Sequence, residues 1–223
     1  MLRALDASCL VTVGSRTATN VPCVPAVGST SVGVLIPVCP HVLAGVTTVW
    51  WPGGGAGGKK CGDTTMIGVD EALAAELVAM ATEQRERIQL SASEDPGDRL
   101  TWREMTVRHA ERLAMILAEE GWPAEDMVGP EAALAAWLVA QHADQQLDVQ
   151  RRAFALMSAA VNEDRASRYH LAFLQDRLLV NSGQPQIYGT QIAAIRDGRP
   201  VPWPCEDGDH LDERRAEVGI PPL

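Results

Sequence analysis

The run from Pro130 to Ala143 constrains this chain more than any other. It carries Ala-Ala-Leu-Ala-Ala-Trp-Leu-Val-Ala, with no charge after Glu131. A helix that is apolar on every side is buried on every side, so the rest of the fold must wrap it. The run then ends in Gln141-His142-Ala143-Asp144, which puts polar groups on the last turn of a core element. Buried polar groups need partners, so a network is expected around them.

The chain has 223 residues, enough for one good core. Its formal charge of -10 is unevenly spread. Residues 1–65 carry a small excess of Arg and Lys, whereas the remainder holds only Arg as a cation and is strongly acidic. An acidic body repels phosphate backbones, which argues against a nucleic-acid partner. Four of the five cysteines precede Met66, no Cys-x-x-Cys pair occurs, and no spacing matches a zinc ligand set. A lone Cys205 in the acidic body fits a reducing compartment, so a cytoplasmic location is expected. No cofactor and no metal site is implied.

Residues 1–65 are irregular and of low complexity. No charge occurs from Thr17 to Gly58, and Pro22, Pro25, Pro37, Pro40 and Pro52 interrupt every candidate element. A membrane span from Gly33 to Trp51 is broken by Pro37, Pro40 and His41, so no membrane partner is expected. Gly53 to Lys59 has the spacing of a phosphate loop, but Lys60 stands where Ser or Thr should hold magnesium. Composition, charge and cysteine usage all change at Met66. The expectation is that residues 1–65 are disordered or an over-extended gene start, with one helical domain over 66–223.

Within that body, Leu73, Leu77 and Met80 mark a first amphipathic helix from Val69 to Leu90, with Glu76, Glu83, Arg85 and Glu86 free to face water. Ser91 to Asp98 reads as a loop turning at Pro96-Gly97. Thr101 and Glu104 make a capping box for a second helix, which Gly121 and Pro123 end. The core helix follows, then helices over Leu147–Val161 and Tyr169–Val180. Gln186 to Ile192 is β-prone, Asp197-Gly198 is a hairpin turn, and Val201 to Trp203 returns. A last helix spans Leu211 to Glu217. The predicted class is mainly α: a compact helical domain of about five helices with one C-terminal β-hairpin.

The polar groups define the candidate site. Gln141 and Asp144 share a face with Trp137, while His142 points elsewhere with Leu138. His142 is a candidate general base or metal ligand with Asp144 or Asp148 beside it, its cation favoured by the helix C-terminus. The competing reading is a satisfied core histidine that ties the helix to the next loop. In Tyr188-Gly189-Thr190-Gln191, the glycine permits a bulge or a close approach, and its neighbours supply neutral donors and acceptors. Trp203 between two prolines reads as a wall or lid. Glu206, Asp207, Asp209, His210 and Asp212 read as a solvated acidic turn rather than a cation site. Asp176-Arg177 reads as a structural charge pair.

Several of these stretches come in a distinctive order: GWP at 121–123, AAWL at 135–138, QHAD at 141–144, LxDR at 174–177, YGTQ at 188–191, PWP at 202–204 and GIPPL at the end. Over about Leu73 to Leu223 the chain resembles an uncharacterised bacterial family known only as a domain of unknown function. That resemblance implies a domain extent but no activity.

Two functions therefore compete. One is a cytoplasmic domain binding a small polar ligand through Gln141, His142, Asp144, Tyr188, Gln191 and Trp203, with hydrolase or transferase chemistry as its enzymatic form. The other is a non-enzymatic interaction or structural protein.

Overall fold

The computed structural model describes residues 68–223, so the expectations placed on the first 65 residues lie outside the described part. The described chain is mainly helical: α1 Glu71–Glu86, α2 Pro96–Glu119, α3 Glu125–Val128, α4 Pro130–Gln141, α5 Leu147–Asn162 and α6 Arg168–Asn181 come first. An antiparallel hairpin of β1 Ile192–Arg196 and β2 Arg199–Pro202 follows, then α7 Leu211–Glu217.

The apolar run does become the central element. Helix α4 packs against α1, α2, α3, α5 and α6. Ala135 to Ala140 are buried without a break, which the small alanines permit because they let neighbouring helices approach on every side. One flank departs from the expectation: Ala133 and Leu134 are only half-buried and border a surface hollow. Leu77 of α1 and Leu113, Ile116 and Leu117 of α2 complete the core and are essentially without solvent contact. Each such side chain contributes about 1.5–3 kcal/mol by leaving water.

The helix starts follow local chemistry. Asp70 accepts from the Leu73 N–H at 2.9 Å and starts α1. The second helix begins earlier than the capping-box reading. Asp95 accepts from the Gly97 N–H at 2.7 Å, with Pro96 in the first turn. Proline suits that position because its missing N–H would have no intrahelical partner there. Pro96-Gly97 is thus a helix start rather than a loop turn, and Thr101 lies inside α2, donating back to the Gly97 carbonyl at 3.0 Å. Ile88–Ala92, the end of the expected first helix and the start of that loop, forms a 3-10 turn. Gly129 precedes α4 at φ 81 and ψ 163, a conformation essentially reserved for glycine.

The hairpin turn falls at Asp197-Gly198, and both residues have positive φ. Neither strand, nor α7, runs alongside a helix of the bundle. This C-terminal arm is fastened through side chains and through Ile220, which is buried in the core. Among the described residues, no helix is long and apolar enough to cross a membrane.

Candidate functional site

His142 caps the C-terminus of α4, and its ring turns toward α1 and α2. Its Nδ1 lies 2.7 Å from Gln84 Oε1. Gln84 Nε2 lies 3.2 Å from His109 Nδ1, and His109 Nε2 lies 3.0 Å from Glu83 Oε2. The proton positions along this chain follow from one end. A carboxylate only accepts, so His109 donates its Nε2–H to Glu83. Burial holds the His109 imidazole below its ordinary pKa despite the Glu83 carboxylate, so it is neutral near pH 7 and its Nδ1 accepts from the Gln84 amide. Gln84 therefore presents its oxygen to His142, which donates Nδ1–H. A neutral His142 then keeps a bare lone pair on Nε2, and that atom has no hydrogen-bond partner among the described residues.

Neutrality at His142 is secure for a physical reason. Burial and then the Arg177 cation lower its pKa, Asp144 recovers only part, and the net result is a fall from 6.5 to about 4. The helix C-terminus favours the cation, but by much less than burial in this core disfavours it. The expectation of a favoured imidazolium is corrected accordingly. Trp102 closes the ring from one side, edge-on at 5.4 Å.

Asp144 faces the other way, toward α6. Its carboxylate receives Arg177 Nε at 2.9 Å and Nη2 at 2.6 Å, a two-pronged contact. Asn181 Nδ2 donates at 2.9 Å. Burial pushes the Asp144 carboxyl up, but Arg177 and Asn181 together outweigh it and hold the acid below its ordinary value. The third prong of Arg177, Nη1, donates to Gln191 Oε1 at 3.1 Å. QHAD and YGTQ are thus joined through one buried guanidinium. Gln150 completes this layer by donating to the Ala140 and Gln141 carbonyls, which α4 leaves open at its end.

Asp176, beside Arg177 in sequence, does not pair with it. Its carboxylate accepts from the backbone N–H groups of Ile187, Tyr188 and Thr190 and from the Thr190 hydroxyl. YGTQ is therefore no strand: it is a loop wrapped around a buried carboxylate. Burial pushes the Asp176 carboxyl up, and these four donors pull it part of the way back. Gly189 lies inside the wrap at φ 64, where a Cβ would sit 3.3 Å from Leu211. Gln186 fastens the loop to the hairpin by donating to the Gln191 and Trp203 carbonyls, and Arg215 Nη1 reaches the Tyr188 carbonyl at 2.6 Å.

The structure therefore gathers Gln141, His142, Asp144 and Gln191 about the end of α4. The Gln141 side-chain amide, like His142 Nε2, has no hydrogen-bond partner among the described residues, and Gln141 is buried. Trp203 is half-buried, its N–H donates to the Gln191 carbonyl, and its indole Nε1–H is buried without an acceptor. Gln146 Oε1, just past QHAD, is in the same condition. The Tyr188 ring packs against the apolar core, and Asp148 is exposed on α5. In the acidic turn, Asp207 takes the exposed His210 ring at 2.8 Å. Among the described residues, no three His, Cys, Asp or Glu side chains are grouped to hold a metal ion.

Gln84, His109 and Gln150 were missed by the sequence reading, and Glu83 was assigned to water although it ends the chain to His142. A signal for the first two was present. Gln84 continues the buried row Leu73, Leu77, Met80, and His109 continues Trp102, Met105 toward Leu113. A polar residue at a position the apolar stripe demands is a network member.

A helical domain carrying a wrapped loop and a short hairpin arm is thus defined around one buried polar layer. The chain belongs to a family of unknown function, DUF6624, whose model matches residues 71–223. No curated protein and no solved structure matched the chain.

Proposed function

We propose that this domain binds a small, uncharged polar ligand at the end of α4, with His142 Nε2 as an acceptor and the Gln141 amide as donor and acceptor. One observation carries the reading. Asp144, Gln150, Arg177, Asn181 and Gln191 are engaged with one another and Gln84 bridges His109 and His142, while the adjacent His142 Nε2 and Gln141 amide have no hydrogen-bond partner among the described residues. Among the described residues the fully buried side-chain atoms without a partner are Trp203 Nε1 and Gln146 Oε1, and a polar ligand at the end of α4 would give His142 Nε2 and the Gln141 amide the partners they lack. The ligand would be uncharged because Asp144 and Arg177 already cancel within the layer. Trp203, beside Gln191, would offer its indole N–H to an acceptor on the same side of the loop.

Hydrolase or transferase chemistry would need His142 Nε2 to take a proton from a bound hydroxyl or water. A group whose pKa lies about 4 is a weak base near neutrality, so binding is favoured over catalysis. A second reading has its own support: Asp144 and Asp176 are wholly occupied in fastening α6 and the loop, which is what a scaffold requires. The acidic body disfavours nucleic acid as a partner under either reading.

A thermal-shift screen of neutral polyols, amides and nucleosides separates the two. A ligand present at about a hundred times its Kd stabilises by about 2.7 kcal/mol. In a domain of this size that raises Tm by roughly 5–10 °C. Gln141→Leu and His142→Phe are expected to abolish that rise. Gln141→Leu should leave the unliganded Tm within a few degrees, whereas His142→Phe, which strips the buried Gln84 Oε1 of its donor, should lower it by roughly 2–12 °C. Hits that persist in both variants, or a screen without hits in which both variants unfold, would return the motifs to scaffold.

A further inference from the structure

A hollow lies on the flank of α4 where Ala133 and Leu134 come to the surface. It holds about 130 Å³, and Trp122, Leu134, Trp137, Met157 and His170 form its walls. It opens into a shallower basin of about 300 Å³ edged by Glu125, Asp126, Asp164 and Arg165. Glu125, Arg165 and Ser167 border both, so the two are one depression with an apolar floor and a charged rim.

The floor is rigid. Trp137 Nε1 donates to the His170 carbonyl at 2.8 Å, and the His170 ring stacks on the Trp137 indole at 4.6 Å. His170 is neutral near pH 7 because burial lowers its pKa to about 4, and its ring nitrogens have no hydrogen-bond partner among the described residues. Neutral His170 therefore offers one acceptor nitrogen in either tautomer. The floor's volume is close to that of cavities of about 150 Å³ that take a single benzene ring.

The rim fixes the sign of the ligand. Arg165 is not free for an anion: its guanidinium grips both Asp126 oxygens at 3.0–3.2 Å and reaches Glu163 at 3.4 Å. Once that pair cancels, Glu125 and Asp164 remain as exposed carboxylates with no side-chain partner among the described residues. Two indoles line the floor and a carboxylate stands on the rim, surroundings that favour an organic ammonium ion through its apolar body and its charge together.

We propose that this depression binds a small organic ammonium ion, with an apolar body of about ring size seated between Trp122 and Trp137 and the cationic nitrogen facing Glu125. The site is separate from the end of α4, so its failure would leave the polar-ligand reading untouched.

Calorimetric titration of the full chain with benzylammonium tests this, with benzyl alcohol as the neutral analogue and benzoate as the anionic one. Saturable benzylammonium binding is expected, with benzyl alcohol at least about tenfold weaker and benzoate weaker still. Glu125→Gln, at an exposed position, should weaken benzylammonium about threefold or more and leave benzyl alcohol unchanged. Ala133→Phe fills the floor and should remove binding of both, with its far-ultraviolet circular dichroism and Tm confirming the fold. Equal affinity for the cation and the alcohol, insensitivity to Glu125→Gln, or no saturation up to about 50 mM would each overturn the proposal. Should Ala133→Phe fail to fold, the Glu125→Gln result and the alcohol comparison decide alone.

Discussion

Arg177→Ala is expected to destabilise the chain by about 3–5 kcal/mol, because it removes one partner of a buried ion pair and leaves the other charged. Arg177 is 5% exposed and Asp144 17%. Without the guanidinium, Asp144 retains Asn181 Nδ2 at 2.9 Å and a long contact from Gln150 at 3.4 Å. Gln191 Oε1 loses its donor in the same step. At roughly 2–4 °C per kcal/mol, Tm should fall by roughly 6–20 °C. Arg177→Lys keeps the charge but cannot reach three acceptors in one plane, so an intermediate loss is expected. Replacing both partners, as Arg177→Met with Asp144→Leu, should cost less than Arg177→Ala alone. Urea titrations measure all three. A loss below about 1 kcal/mol in Arg177→Ala would show that the pair is not buried as described.

Acid should unfold the chain from an unusually high pH, with His142 and His170 contributing comparably. The His142 pKa is about 4 in the folded chain against 6.5 for the free side chain. Between those values the unfolded chain binds the proton and the folded chain refuses it, so stability falls as pH drops through that window. At 1.36 kcal/mol per pKa unit, the loss from His142 alone is about 3 kcal/mol. His170 acts in the same direction, also from about 4. Asp144, held below its ordinary value, begins to add its own loss only as pH falls further. Asp176 has the opposite sign. Its raised pKa means that the folded chain takes that proton first, which offsets part of the loss near its titration. Urea midpoints at pH 7 and pH 4 measure the slope. His142→Phe should flatten it by about half, and an unchanged slope in that variant would mean the imidazole is charged or solvated in the fold.

The sequence was most legible where one rule acted alone. The absence of charge after Glu131 sufficed to identify the central helix, and Asp197-Gly198 sufficed for the hairpin turn. Leu211–Glu217 was read with its observed bounds. Reading failed where two local rules competed. Thr101 and Glu104 form an acceptable capping box, yet Asp95 with Pro96 starts the helix earlier, and a start further upstream turns a cap into an interior residue. It failed again where a tertiary partner overrode propensity. Gln186 to Gln191 is β-prone by composition, but the Asp176 carboxylate gathers its N–H groups into a wrap that no strand can make. Gln141, His142, Asp144 and Gln191 were recognised as candidates because they were polar groups in apolar company. Which nitrogen of His142 stays bare was beyond reach, since it depends on Glu83 acting through His109 and Gln84 across two other helices.

That nitrogen is where the proposal stands most exposed. Nitrogen-15 NMR of the histidine rings, with His142 assigned by comparison with His142→Phe, reads both ring nitrogens directly at pH 7. The expected spectrum has His142 neutral, with Nδ1 protonated and Nε2 bare. A neutral polar ligand found in the screen should then shift the Nε2 resonance more than any other histidine nitrogen. An imidazolium at His142, or the tautomer protonated at Nε2, would contradict the relay from Glu83 and remove the acceptor on which the site depends.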